Sequence, residues 1–264
     1  HGDLGNRLVI LLADLPVAEP DPRERYQKVS ETMEQIKSSH QAKGAELLEI
    51  PDALYFVGST SAQGHLLPVV GGVAALHEQA KQLGADFVVV DSSGLVSGIS
   101  GQTLKYHKVE ALRPDLVVGL QRGEELLPLL GVIQRFFATE VVPLGVHPRV
   151  VPTTVDLRAE NRERSMRRYF SGELHRFRVK PTVFMPALPP LFEPADLNRL
   201  LVGLSDGAGA YTGIGYLEHA PDDGVLRLIS PVAEGPKALR LGSVRLDASY
   251  RAKRVDLRNL FGSE

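Results

Sequence analysis

The 264-residue chain contains no cysteine. Disulfides, thiolate zinc sites and a cysteine nucleophile are therefore excluded. This suits a reducing compartment, and a cytoplasmic location is the expectation. No apolar run approaches the roughly 20 residues needed to span a bilayer, so no membrane contact is expected. The N-terminus lacks the basic-then-apolar design of a secretory signal. It starts at His1 rather than Met, which points to a cut or processed start. His65, His107, His147 and His175 have no metal-ligand spacing, and no Gly-x-Ser-x-Gly elbow occurs. No internal repeat or low-complexity stretch is present. The phosphate-loop pattern Gly-x-x-x-x-Gly-Lys-Ser/Thr is absent from His1 to Glu264.

What is present suits an ordinary soluble protein of one large or two smaller domains, with 43% hydrophobic and 23% charged residues. The net charge is −2, but it is unevenly spread. Residues 158–180 hold 8 Lys and Arg against 3 Glu. Such a patch can attract phosphate, although a solvated helix face has the same composition.

Periodicity divides the chain. Residues 7–14 read as a strand and residues 24–43 as a helix. Apolar runs at 53–57, 86–90, 115–120 and 140–146 read as strands, the second and third apolar enough to be buried on both faces. Helical patterns fall at 66–83, 103–112, 124–137 and 156–170. Strands alternating with helices of this length predict an α/β fold with a parallel, three-layer sheet. Beyond Lys180 the pattern changes. Pro181, Pro186, Pro189 and Pro190 mark a linker, and short strands are expected at 200–204, 211–217, 225–229 and 238–246. They predict a small antiparallel β domain, a barrel or sandwich. The expected units are a poorly matched segment 1–52, a core 53–178 and a β domain 179–264.

Three segments offer chemistry. Asp86-Phe-Val-Val-Val-Asp91-Ser-Ser-Gly94 is an apolar strand ending in an acid and a glycine turn. Ligands of open parallel sheets bind at such strand ends, and an acid there can orient magnesium. A strand-end Asp that only caps a turn looks the same. Gly58-Ser59-Thr60-Ser61 offers small hydroxyl donors beside a glycine, suited to a phosphate or equally to a polar turn. The helix at 158–170 carries Arg158, Arg162, Arg164, Arg167 and Arg168. Arginine forks neutralise phosphoryl oxygens bidentately. Glu160–Arg164 and Glu163–Arg167 are i,i+4 pairs, whereas the residue four before Arg162 is Arg158.

These segments, with Arg113-Pro-Asp-Leu-Val-Val-Gly-Leu-Gln-Arg122, occur in an order that resembles the polynucleotide 5′-hydroxyl kinases of the P-loop class. That family includes the kinase of the pre-mRNA cleavage and tRNA-splicing machinery and the rRNA-processing kinases. The resemblance covers residues 53–178 and extends more weakly into the β domain. It implies transfer of the ATP γ-phosphate to the 5′-hydroxyl of RNA or DNA with Mg²⁺, and protein partners in RNA processing. Gly58, Ser59, Thr60 and Ser61 look like the loop clasping the triphosphate. Asp91, Gly94, Leu95 and Gly98 look like the substrate loop, with Asp91 the candidate magnesium ligand. Arg162 and Arg167 look like lid arginines. The family often carries a base-stacking tryptophan after Gly94. Here that residue is Leu95, and the chain has no Trp. His1-Gly2-Asp3-Leu4-Gly5-Asn6 echoes the family's Asp-x-Asp-x-Gly-Gln motif, which makes Asp3 a candidate for the base that takes the hydroxyl proton. Three readings follow: an incomplete or inactive kinase, a non-catalytic RNA-binding module, or another P-loop NTPase such as a GTPase-like switch. The last lacks an Asn-Lys-x-Asp guanine-reading segment. On the kinase reading, Thr60, Asp91 and Arg162 converge on one hollow at the rim of the sheet.

Overall fold

The computed structural model describes residues 51–190, 192–220 and 224–261. The strand expected at 7–14, the helix expected at 24–43 and Asp3 lie outside the described residues.

Among the described residues the first α/β element is helix α1, Leu66–Gln82, which packs against α2, Gly98–Leu112. Ala62, Val69 and Leu104 are buried where they meet, with Val57, Leu66, Val70 and Leu95 around them. Strand β1, Leu116–Gln121, then pairs in parallel with β2, Glu140–Gly145, from Leu116 opposite Glu140 to Gln121 opposite Gly145. Helix α3, Leu127–Phe136, connects them. It seats Leu129 and Ile133 with Val109, Val117 and Val141. A Cβ at Gly119 would come within 2.6 Å of Leu130, so glycine lets α3 lie close on β1.

Two expected strands are corrected. Residues 53–57 and 86–90 join no ladder among the described residues, and β1–β2 is the parallel pair there. A strand needs a hydrogen-bonding neighbour as well as apolar side chains, and at 86–90 no residue is buried and Val89 is exposed. Phe56 packs against the second sheet.

Helix α4, Val155–Tyr169, is the arginine-rich helix. Thr154 caps it, its Oγ1 accepting from the Leu157 amide at 3.2 Å, and Asp156 lies in the first turn. Its C-terminal end is tied to the second sheet. The Tyr169 hydroxyl donates to the Ile214 carbonyl at 3.2 Å and accepts from the Ile214 amide at 3.0 Å.

That sheet is antiparallel, with β3 His175–Arg178, β4 Leu200–Ser205, β5 Tyr211–Ala220, β6 Val225–Ser230, β7 Ala238–Leu246 and β8 Ala252–Arg254 in the order β3-β6-β5-β4-β7-β8. Among the described residues it is one open sheet with β3 and β8 at its edges. This corrects the expected barrel or sandwich: both faces are covered by non-strand segments. β4 shows how. Leu200, Val202 and Leu204 point to one face, where Phe184, Leu217, Leu228 and Leu239 fill the core. Leu201 points to the other, with Tyr216, Ile229, Val244 and Phe170. A short helix α5, Leu257–Phe261, closes the chain against the first face. No helix among the described residues is long and apolar enough to cross a membrane.

Candidate functional site

The loop 58–61 is anchored on β7 through Gly58. Gly58 adopts φ +83°, a left-handed conformation that residues with a Cβ resist. Its carbonyl accepts from the Ser243 amide at 2.7 Å and from the Ser243 hydroxyl at 3.1 Å. Ser59 Oγ accepts from the Ser61 amide, and Ser61 Oγ from the Gln63 amide, both at 3.2 Å. Both hydroxyl protons, and Thr60 entirely, stay free of partners among the described residues. His65 Nε2 lies 3.0 Å from Ser243 Oγ. A cavity of about 530 Å³ opens here, bounded by Gly64, His65, Ser243 and Arg254. The histidine reading gave His65 no role; it joins α1 to the sheet.

Asp91 has surroundings that the sequence did not suggest. Lys105 and Lys108 of α2 are buried, with 9% and 7% of their surfaces exposed. Lys105 Nζ donates to Ser92 Oγ at 2.7 Å and to the Ser93 carbonyl. Lys108 Nζ donates to the same Ser92 Oγ at 3.3 Å. Burial first, and the neighbouring Lys108 second, pull the Lys105 ammonium down to about 8, with Asp91 opposing. Lys108 is lowered too, by burial against the pull of Asp91. The helical spacing Lys105-x-x-Lys108, about two turns beyond a glycine-bounded loop, was the available signal.

The linkage is directional. Lys105 titrates at about 8 in the fold against an ordinary 10.5. Between those values the unfolded chain binds more protons, so the contribution of this group to stability rises with pH. In urea titrations, wild type is expected to gain stability relative to Lys105→Met as pH climbs from about 8 to 10.5. A pH-independent difference would contradict the depressed ammonium.

Leu95, at the position where a stacking ring was considered, is drawn against Ala62, Val69 and Leu104. Cβ atoms at Gly94 and Gly98 would meet nothing within 4 Å, so the loop is open beside both. The candidate magnesium site does not fit its surroundings. Asp91 faces two ammonium groups, and among the described residues no three His, Asp or Glu side chains gather to hold a metal. Magnesium takes an oxygen-rich shell, which two ammonium groups beside Asp91 do not supply.

On α4, Arg167 is paired with Glu163 at 2.7 Å, and Glu163 also accepts from Arg251 Nε at 3.3 Å. Arg164 turns to Asn161 at 3.3 Å rather than to Glu160. Arg162 makes no hydrogen bond or ion pair among the described residues, and is half-buried. Of the two lid candidates, then, one charge is countered and one is free. No hydrogen bond or ion pair among the described residues joins Thr60, Asp91 or Arg162 to one another.

The family model described as the mRNA cleavage and polyadenylation factor CLP1 P-loop matches residues 27–172, more than half of the chain. The chain belongs to this family. It is 35% identical over 122 residues to a polyribonucleotide 5′-hydroxyl-kinase of Pyrococcus horikoshii, covering 46% of this chain and 32% of that protein. It is 24% identical over 254 residues to a polyribonucleotide 5′-hydroxyl-kinase of Methanocaldococcus jannaschii, covering 75% of this chain and 69% of the relative. The first match thus spans about a third of its relative's length. A solved structure of the interface between Pcf11p and Clp1p matches with a TM-score of 0.50 at 14% identity, over 67% of this chain and 52% of that one, which is a likeness of fold.

Proposed function

We propose that the chain carries the polynucleotide-handling part of an ATP-dependent 5′-hydroxyl kinase acting in RNA processing. The observation that carries this reading is the family match over 27–172, one stretch containing the hydroxyl loop, the Asp91 loop and the arginine helix. In this reading, Gly58, Ser59, Thr60 and Ser61 face the triphosphate. The loop from Asp91 through Gly94 and Leu95 to Gly98 receives the acceptor strand. Arg162 supplies charge to the transferring phosphoryl group, whose equatorial oxygens carry the developing negative charge. Arg167 acts through Glu163 in holding α4, and Asp3 remains the candidate base. A protein partner is proposed by analogy with the Clp1p–Pcf11p neighbour.

One observation favours a second reading, RNA binding without phosphoryl transfer: the phosphate-loop pattern does not occur in the chain. Both readings require the chain to bind polynucleotide. Fluorescence anisotropy with a labelled 5′-hydroxyl single-stranded RNA is expected to show binding that weakens steeply with salt, because lysine and arginine displace counterions from phosphates. Binding that is absent at low salt overturns both. Tightening of that binding by ATP favours the kinase; indifference to ATP favours the binding module.

A further inference from the structure

Lys105 and Lys108 sit one turn apart on α2, and both ammonium groups reach the oxygen of Ser92. Two nitrogens within 2.7 and 3.3 Å of one atom lie within roughly 6 Å of each other, a separation at which like charges repel unless an anion intervenes. Among the described residues Asp91 is the acid acting on both ammonium groups, which leaves an excess of one positive charge there.

The donors are also in excess. An ammonium has three protons: Lys105 uses two and Lys108 one. Ser92 Oγ accepts both lysines, so its own proton points elsewhere. Ser93 Oγ is buried and has no partner among the described residues. Buried donors are ordinarily paired, and what would pair these is an oxygen-rich anion. The loop is open at Gly94, where a Cβ would touch nothing within 4 Å.

We propose that Lys105, Lys108, Ser92 and Ser93 form an anion subsite that grips one phosphodiester of the acceptor polynucleotide just inside its 5′ end. The proposal rests on the kinase reading above and adds to it two lysines that no motif marked. Charge selects among phosphates. A phosphodiester carries a single negative charge and matches the local excess of one. A nucleoside triphosphate carries several and would remain largely uncompensated here. The Lys105 ammonium, depressed first by burial and second by Lys108 with Asp91 opposing, is consistent with this geometry.

The test uses the full chain with Lys105→Met/Lys108→Met and, as charge-keeping control, Lys105→Arg/Lys108→Arg. Anisotropy with a 5′-hydroxyl single-stranded RNA is read across a salt series, and ATP binding is measured on the same samples. The methionine pair is expected to lose about tenfold in RNA affinity. Its slope of log affinity against log salt should fall by about 0.7, one single-strand phosphate contact. The arginine pair should keep the wild-type slope, and ATP affinity should change less than twofold in both. A displaced loop without a lost phosphate contact would lower affinity and leave the slope intact, so the slope separates the two. An unchanged slope in the methionine pair, or a loss confined to ATP, overturns the subsite while RNA binding by wild type keeps the kinase reading. If wild type itself binds no RNA, both fall. Should the methionine pair fail to show a folded melting transition, the arginine pair decides: loss of the wild-type slope despite retained charge counts against the subsite, and its retention supports it.

Discussion

Incubated with ATP, magnesium and a 5′-hydroxyl oligonucleotide, the 264-residue chain is expected to transfer no phosphate above the uncatalysed level. Phosphoryl transfer relies on fixed donors around the β- and γ-phosphates, and such preorganised electrostatics supply most of the rate. A phosphate loop provides them as backbone amides and one lysine, and the pattern that builds it is absent here. The remaining candidates do not replace it. The Ser59 and Ser61 hydroxyls accept from amides of their own loop, Arg167 is held by Glu163, and Lys105 is bonded to Ser92 and the Ser93 carbonyl. Arg162, without a hydrogen bond or ion pair among the described residues, remains, and a single arginine contributes to a transition state already positioned without positioning it. The measurement is transfer of labelled γ-phosphate to the oligonucleotide by purified protein, alongside binding of the same oligonucleotide. Label transfer that tracks the protein through purification overturns the expectation. Binding without transfer is the predicted result.

Elements with strong period or clear punctuation were legible in the sequence. The helices now bounded as 66–82, 127–136 and 155–169 and the strands β4 to β7 all fell close to their expected limits. Edge strands of four and three residues, β3 and β8, carry too short a pattern to register. Residues 53–57 and 86–90 failed for another reason. A five-residue apolar run says that a segment is buried, not that it pairs, and Phe56 satisfies burial by crossing to the other sheet. The site shows the same division. Local pairing on one helix could be read from spacing, and Glu163–Arg167 is made as expected. Glu160–Arg164 was read the same way, but Arg164 takes the nearer amide of Asn161. Lys105 and Lys108 were missed because a lysine on a helix ordinarily faces water, and their direction is set by α1 packing across α2. Contacts between distant residues, such as Ser243 with Gly58, leave no local mark at all.

Replacing Gly203 by alanine is expected to cost about 2–4 kcal/mol and to release the hydroxyl loop. Phe56 lies over two glycines of neighbouring strands. A Cβ at Gly203 would stand 2.6 Å from Phe56 Cβ and Cδ1, and one at Gly242 would stand 3.0 Å from Phe56 Cζ. The Gly203 contacts are closer than carbon atoms approach, so the ring must leave, and its apolar burial goes with it. Two residues later the chain reaches Gly58, whose carbonyl is fixed by Ser243. Unseating Phe56 therefore loosens the peptide that positions Ser59, Thr60 and Ser61. The proof is a double-mutant cycle with Phe56→Gly, read by urea unfolding. With the ring and its Cβ both gone, the alanine at 203 has nothing of residue 56 to displace, and its cost should fall below about 1 kcal/mol, a coupling of about 1–3 kcal/mol. Amide exchange over residues 55–61 should accelerate in each single variant. Additive costs, with exchange in that segment unchanged, would mean that the ring does not hold the loop, and the placement of Thr60 would then rest on the Ser243 hydrogen bonds to Gly58 alone.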